Sequence, residues 1–191
     1  MKIKKGEAGY INKRKKKAFI KASLEFGIVI ALLILGVVQT GSRLNLLTLV
    51  AILGCLPAAK ALVELIMLIP HHSIESSVAE EIEQKSEALT KAYDLVLTSE
   101  NHIMPIDCVV ICKNTVYGYT SSKKTDTTFA VKHIKNILQT NEFSNVSVKI
   151  FDNYKTFLLI AEGLHNIATV EKADAKEYEE AIRNVILNIS L

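Results

Sequence analysis

The chain has 191 residues, 49 % of them hydrophobic, with 23 Lys and Arg against 20 Asp and Glu for a formal net charge of +3. Its three cysteines, Cys55, Cys108 and Cys112, have neither zinc-finger spacing nor nearby Cys or His mates; they exclude a disulfide framework and read as reduced core thiols in a reducing compartment. The charge is unevenly placed: residues 1–21 carry nine Lys or Arg against Glu7 alone, while residues 71–191 carry twelve against seventeen Asp and Glu, a balance of −5 that argues against a nucleic-acid partner for the larger part.

Residues 1–21 read as a basic cytosolic tail: Lys2, Lys4 and Lys5, then Lys13, Arg14, Lys15, Lys16 and Lys17, then Lys21. A signal peptide also starts basic, but its apolar core is shorter and a small-residue cleavage site follows it. Here one apolar run, residues 26–38, is followed after Gln39-Thr40-Gly41-Ser42-Arg43 by a second, residues 44–59, which resumes as 61–69. A membrane-crossing helix needs about 20 mostly apolar residues. Residues 22–70 are therefore expected to form a transmembrane α-helical hairpin, with spans at 22–40 and 44–63, an interfacial extension to 69 and a stop at Pro70. Basic residues beside the first span hold that flank in the cytoplasm, so a two-span cell-membrane protein with N- and C-terminus both cytoplasmic is expected. The same cations suit an anionic inner leaflet.

Charges inside a span are costly. Counted from Ser42, Glu25 lies seventeen residues back and Lys60 eighteen forward. At about 1.5 Å per residue both sit roughly 26 Å from the turn, near the edge of an approximately 30 Å core. The expectation is a Glu25–Lys60 pair across the hairpin, with Glu64 sharing the Lys60 ammonium. Lys13, Arg14, Lys15, Lys16, Lys17, Lys21, Glu25 and Lys60 are thus the expected membrane-interface residues. Pro57 is expected to kink the second span.

Beyond Pro70, Ser77-x-x-Glu80 reads as a capping box before a helix with the apolar stripe Val78, Ile82, Leu89 and Tyr93 and an acidic face, Glu80, Glu81, Glu83 and Glu87. Residues 93–98 and 106–112 are short apolar, β-branched runs, the second unbroken enough to be a central strand. Lys113-Asn114-Thr115 turns the chain into a third strand, 116–121. Asp126 can cap a helix bearing Phe129, Ile134, Ile137 and Leu138, and residues 146–151 alternate like a strand. Asp152 or Asn153 opens a helix through Phe157, Leu158, Ala161 and Leu164, with a strand over 156–161 as the alternative. Asp174-x-x-Glu177 is a further capping box before a helix running to Ile189. The result is a mixed α/β (α+β) cytosolic domain of order α-β-β-β-α-β-α-α over residues 71–191.

That order, with the words Ile106-Asp107-Cys108-Val109-Val110-Ile111 and Asn114-Thr115-Val116-Tyr117-Gly118-Tyr119, resembles the restriction-endonuclease-like PD-(D/E)XK superfamily, in the form of the nuclease-related domain. The resemblance covers residues 77–151. It implies that Asp107 and a following Glu hold Mg²⁺ or Mn²⁺ while a Lys orients the attacking water. At the corresponding positions stand Thr120-Ser121-Ser122, then Lys123-Lys124, so the second carboxylate is missing. Asp107 alone makes a poor site for a hard cation. The candidate catalytic set is Asp107, Lys123 and Glu87, with Glu83 a further donor, and Asp107 is the only metal candidate. The whole chain is also similar to small two-span proteins of Gram-positive bacteria.

No Gly-rich phosphate loop, His-Glu-x-x-His or Gly-x-Ser-x-Gly occurs. His102, His133 and His165 are widely spaced, and Cys108 beside Asp107 should have a raised pKa, wrong for a nucleophile. The expected function is a membrane-anchored, non-catalytic module with a degenerate nuclease-like fold and no cofactor. It would act through a protein partner, self-association or a small ligand. The alternatives are a metal-dependent nuclease with a migrated site around Asp107, and a subunit of a small oligomeric transporter or pore.

Overall fold

The computed structural model describes residues 3–43, 45–99, 102–171 and 175–191. The chain divides into two compact units, one of residues 11–72 and one of residues 1–10 with 73–191.

The first unit is a pair of helices, α1 (Tyr10–Thr40) and α2 (Leu46–Leu68), both long and apolar enough to cross a membrane. The buried residues of α1 are Ile11, Ala18, Ala22, Val29 and Gly36, and those of α2 are Ala51, Ala58, Ala61 and Leu68. Most of these recur every seven residues, the spacing that keeps one seam facing a partner helix, and most are small, which lets the helices approach closely. At Gly54 an added Cβ would lie 3.2 Å from Val29, and at Gly36 it would strike the Asn45 side chain at 2.6 Å. Asn45 also caps α2, its side chain accepting from the Thr48 amide at 2.8 Å. α2 runs as helix through Pro57.

The expected ion pairs are redistributed. α1 is already helical through the basic block, so Arg14 comes beside Glu64 and pairs with it at 3.1 Å. Lys15 Nζ donates to the Ile69 carbonyl at 2.8 Å. Glu25 pairs within its own helix, with Lys21 at 3.9 Å, and Lys60 is exposed. The pairing of Lys60 with Glu25 and Glu64 is therefore corrected to Lys21–Glu25 and Arg14–Glu64.

The second unit is a four-stranded sheet of order β1-β2-β3-β4, formed by β1 (Thr90–Ser99), β2 (His102–Cys112), β3 (Thr115–Tyr119) and β4 (Ser147–Phe151). The first three strands are antiparallel neighbours, and β4 returns parallel to β3 after the helix α4 (Thr127–Thr140). One face buries Leu95, Leu97, Ile106 and Val109 with Ile134 and Leu138 of α4 and Ile182 and Ile186 of α6 (Lys176–Asn188). The other buries Tyr93, Cys108 and Val110 with Ile82 of α3 (Ser76–Lys85) and Phe157 and Ala161 of α5 (Tyr154–Glu171). Helices thus cover both faces of a mixed sheet.

Asp126 caps α4, accepting from the Thr128 and Phe129 amides, and Asn153 accepts from the Thr156 amide at the start of α5, so residues 156–161 are helical. Other boundaries differ from expectation. α3 stops at Lys85, so Leu89 and Tyr93 do not belong to its stripe; they reach the same core from the approach to β1 and from β1 itself. The N-cap of α3 is Glu75, without a side-chain bond, and not Ser77. The entry to α3 is set instead by the Ile74 amide donating to Asp94 at 2.9 Å. Asp174 of the last expected capping box lies outside the described residues.

Residues 3–10, expected as part of a basic cytosolic tail, pack into this second unit. The Tyr93 amide donates to the Gly6 carbonyl at 2.9 Å and Lys5 Nζ donates to the Ser190 carbonyl at 2.6 Å. Gly6 has φ +87°, and a Cβ there would lie 2.8 Å from the Leu187 side chain. With Leu191 donating to the Val96 carbonyl, these residues occupy the outer edge of β1, which would otherwise offer unpaired backbone to another strand.

Candidate functional site

Asp107 sits on β2, half-buried, and its carboxylate accepts the Ser121 amide across the end of the β2–β3 pair. Thr120, standing where the resemblance places a second carboxylate, is buried, and its hydroxyl donates to the Pro105 carbonyl at 2.7 Å. Lys123 is exposed in the loop beyond β3. Glu87 is exposed in the turn after α3. Glu83 does reach the sheet, but both of its oxygens are engaged: one accepts the Tyr93 hydroxyl at 2.9 Å, the other pairs with Lys91 at 2.9 Å. Among the described residues, no group of three or more His, Cys, Asp or Glu is arranged to hold a metal ion. Hard divalent cations take several oxygen ligands, so the Asp107 neighbourhood does not fit the Mg²⁺ or Mn²⁺ that the resemblance implies.

The structure brings a second acid to this place. Asp94 of β1 lies between Tyr93, which pairs with Cys108, and Leu95, which pairs with Ile106, and so stands opposite Asp107. It is buried and has φ +56°, a left-handed conformation uncommon for a residue other than glycine. Both strands change face here: Ala92 and Leu95 point into one core, as do Ile106 and Val109. An aspartate inside the apolar run Ala92–Leu97 was the available signal. Its carboxylate holds the Ile74 amide that starts α3.

The polar groups under α3 and α5 form a second layer. Tyr154 donates to Glu81 at 2.6 Å, and Lys85 lies 3.9 Å from Glu81 and 3.5 Å from Glu162. Burial, then the Cys108 and Glu83 charges, pushes the Tyr93 hydroxyl pKa far up. Burial and the bond to Glu81 raise that of Tyr154. Burial above all raises the Cys108 thiol; Lys91 offsets part of this, and Asp107, Glu83 and Asp94 add to it. The two hydroxyls are thus held as neutral hydrogen-bond donors and the thiol as the neutral form, the reverse of what a nucleophile needs. Beside them, residues 6–8, Glu80 of α3, Tyr93 of β1 and Arg183 of α6 line an open groove of about 420 Å³. Arg183 is fixed there by donating from Nε to the Lys91 carbonyl at 2.7 Å.

His102 and His133 both stack on the Phe129 ring, while His165 is engaged elsewhere. His165 accepts the Ala88 amide at 3.1 Å, and His102 stacks on Phe129 with ring centroids 4.3 Å apart. Of the residues expected at a membrane interface, Lys13, Lys16, Lys17 and Lys21 are exposed along α1, while Arg14 and Lys15 are turned to α2. No family of proteins, no curated protein and no solved structure matches this chain.

Proposed function

We propose that the chain is a membrane-tethered module that works by contact and not by catalysis, on a degenerate nuclease-like fold. The observation that carries this reading is the commitment of its acids to the fold. Asp107 holds the Ser121 amide, Asp94 holds the Ile74 amide, Glu83 holds Tyr93 and Lys91, and Thr120, which the resemblance would set at the second carboxylate, is buried. Three antiparallel strands, a crossover helix and a parallel fourth strand support the nuclease-like ancestry. The −5 balance of residues 71–191 speaks against a nucleic-acid partner, which needs a basic surface.

α1 and α2 are the tether. Their exposed apolar side chains, among them Ile28, Ile34, Leu53 and Leu56, suit lipid, and the outward lysines of α1 suit an anionic cytoplasmic leaflet. Because residues 3–10 and 73–191 build one unit, both flanks of the hairpin belong on one side, the cytoplasmic one by the basic block. The test is hydrolysis by the full chain in detergent. No cleavage of DNA or RNA is expected with Mg²⁺ or Mn²⁺, and metal-dependent cleavage that disappears in Asp107→Ala would refute the reading.

A further inference from the structure

We propose that α5 is the surface on which two copies of this chain meet, crossing at Gly163. One side of α5 is consumed by the core through Phe157, Leu158 and Ala161. The other carries Leu159, 71 % exposed, Ile167, 50 % exposed, and Val170, 83 % exposed. Gly163 lies among them, and a Cβ added there would meet nothing within 4 Å. Glycine weakens a helix interior, and among the described residues nothing approaches Gly163 closely enough to require it. At a crossing of two helices the missing Cβ lets the backbones approach. Leu159, Gly163 and Ile167 also form an i±4 ridge, the kind that interdigitates with its equivalent on a second helix. A two-fold axis beside Gly163 sets the same patch against itself, as a symmetric pair requires.

Charge selects the occupant. The exposed residues Thr156, Leu159, Gly163, Asn166, Ile167 and Val170 are uncharged, and Glu162 at their flank is held by Lys85 at 3.5 Å. Two acidic units repel through faces such as that of α3 with Glu80 and Glu83, but can touch here without opposing charges. A bilayer surface is the poorer fit, because an interfacial helix carries a row of Lys or Arg and α5 has Lys155 alone. A stable soluble interface takes about 800 Å² per partner, and tethering both copies to one membrane raises their effective concentration for a contact through α5. This inference rests on the contact-module reading and names its partner.

The test is disulfide trapping of the full chain in phosphatidylcholine–phosphatidylglycerol vesicles, in a Cys55→Ser background in which Cys108 and Cys112 are buried. Gly163→Cys should give a linked dimer at least tenfold above Lys132→Cys, an exposed position on α4. Adding Leu159→Lys and Ile167→Lys, both at exposed positions, should cut the yield about tenfold. Trapping no better than at Lys132 overturns the proposal. So does a dimer that survives both lysines, which would point to another face such as the exposed Ser23, Gly27 and Ala31 of α1. Quenching of a probe at Val170 by a lipid-borne quencher likewise overturns it in favour of the bilayer. Failure of trapping leaves the non-catalytic reading intact, whereas Asp107-dependent hydrolysis removes that reading whatever the trapping shows.

Discussion

Thr120 is the residue on which the proposed non-catalytic reading can be tested most locally. Its side chain is buried and bonded to the Pro105 carbonyl, so a carboxylate placed there would enter a closed space. Thr120→Glu should therefore destabilise the domain by about 3 kcal/mol or more, as an unpaired buried charge does, without creating hydrolysis. Thermal unfolding and a nuclease assay on the same sample check both parts. Tyr93 and Tyr154 make a pH prediction. Their folded pKa values lie above the ordinary tyrosine value of about 10, so their contribution is complete below that pH and is lost as pH rises beyond it. Stability should fall above about pH 10, and less steeply in Tyr93→Phe, as denaturant midpoints across pH 8–11 would show. At this scale the residues are only partly legible in the sequence. Asp107 stands out through its flanking words, and its link to the Ser121 amide spans a single hairpin. Asp94 escapes notice because its role, holding the amide of a residue twenty positions earlier, exists only once the sheet is formed.

Elements are legible where periodicity and caps coincide, as in α4 with Asp126, and less so where tertiary contacts set the boundary. Leu89 and Tyr93 continue the spacing of α3 yet leave the helix, because the backbone at Tyr93 pairs with β2 on one side and bonds Gly6 on the other. The order of charges misleads in the hairpin. With the first span taken to start near Ala22, Arg14 falls in the basic tail before it; as helix, it reaches Glu64. A double-mutant cycle on Arg14 and Glu64, both partly exposed, should give a coupling of about 0.5–1 kcal/mol, measured by unfolding in mild detergent. Two glycines should respond in opposite ways. Gly6→Ala meets Leu187 with a positive φ and should cost about 1–3 kcal/mol. Gly163→Ala, in an open helix interior, should gain about 0.5–1 kcal/mol in the same unfolding assay while weakening any pairing through α5.

On the scale of the molecule, the organising property is sidedness. Two apolar helices carry a basic extension whose outward lysines face solvent, and the segment before them closes the edge of the sheet that follows them. If the pair spans a bilayer, residues 3–10 and 73–191 cannot lie on opposite sides without dismantling that unit. Hydrophobic runs and charge asymmetry make the hairpin legible in the amino-acid sequence alone. The closing segment is not legible there, because Ile3-Lys4-Lys5-Gly6 looks like any basic leader until Gly6 meets Leu187. Replacing Lys60, which is exposed, with Leu should leave the orientation unchanged, since the basic block of α1 outweighs it. The most direct measurement is labelling of single cysteines at Ser23, Ser42 and Ser76 with a membrane-impermeant reagent on intact cells, in the Cys55→Ser background. Reaction at Ser42 alone is the predicted result. External labelling at Ser23 or Ser76 would contradict the hairpin and the cytoplasmic placement of everything after Pro70.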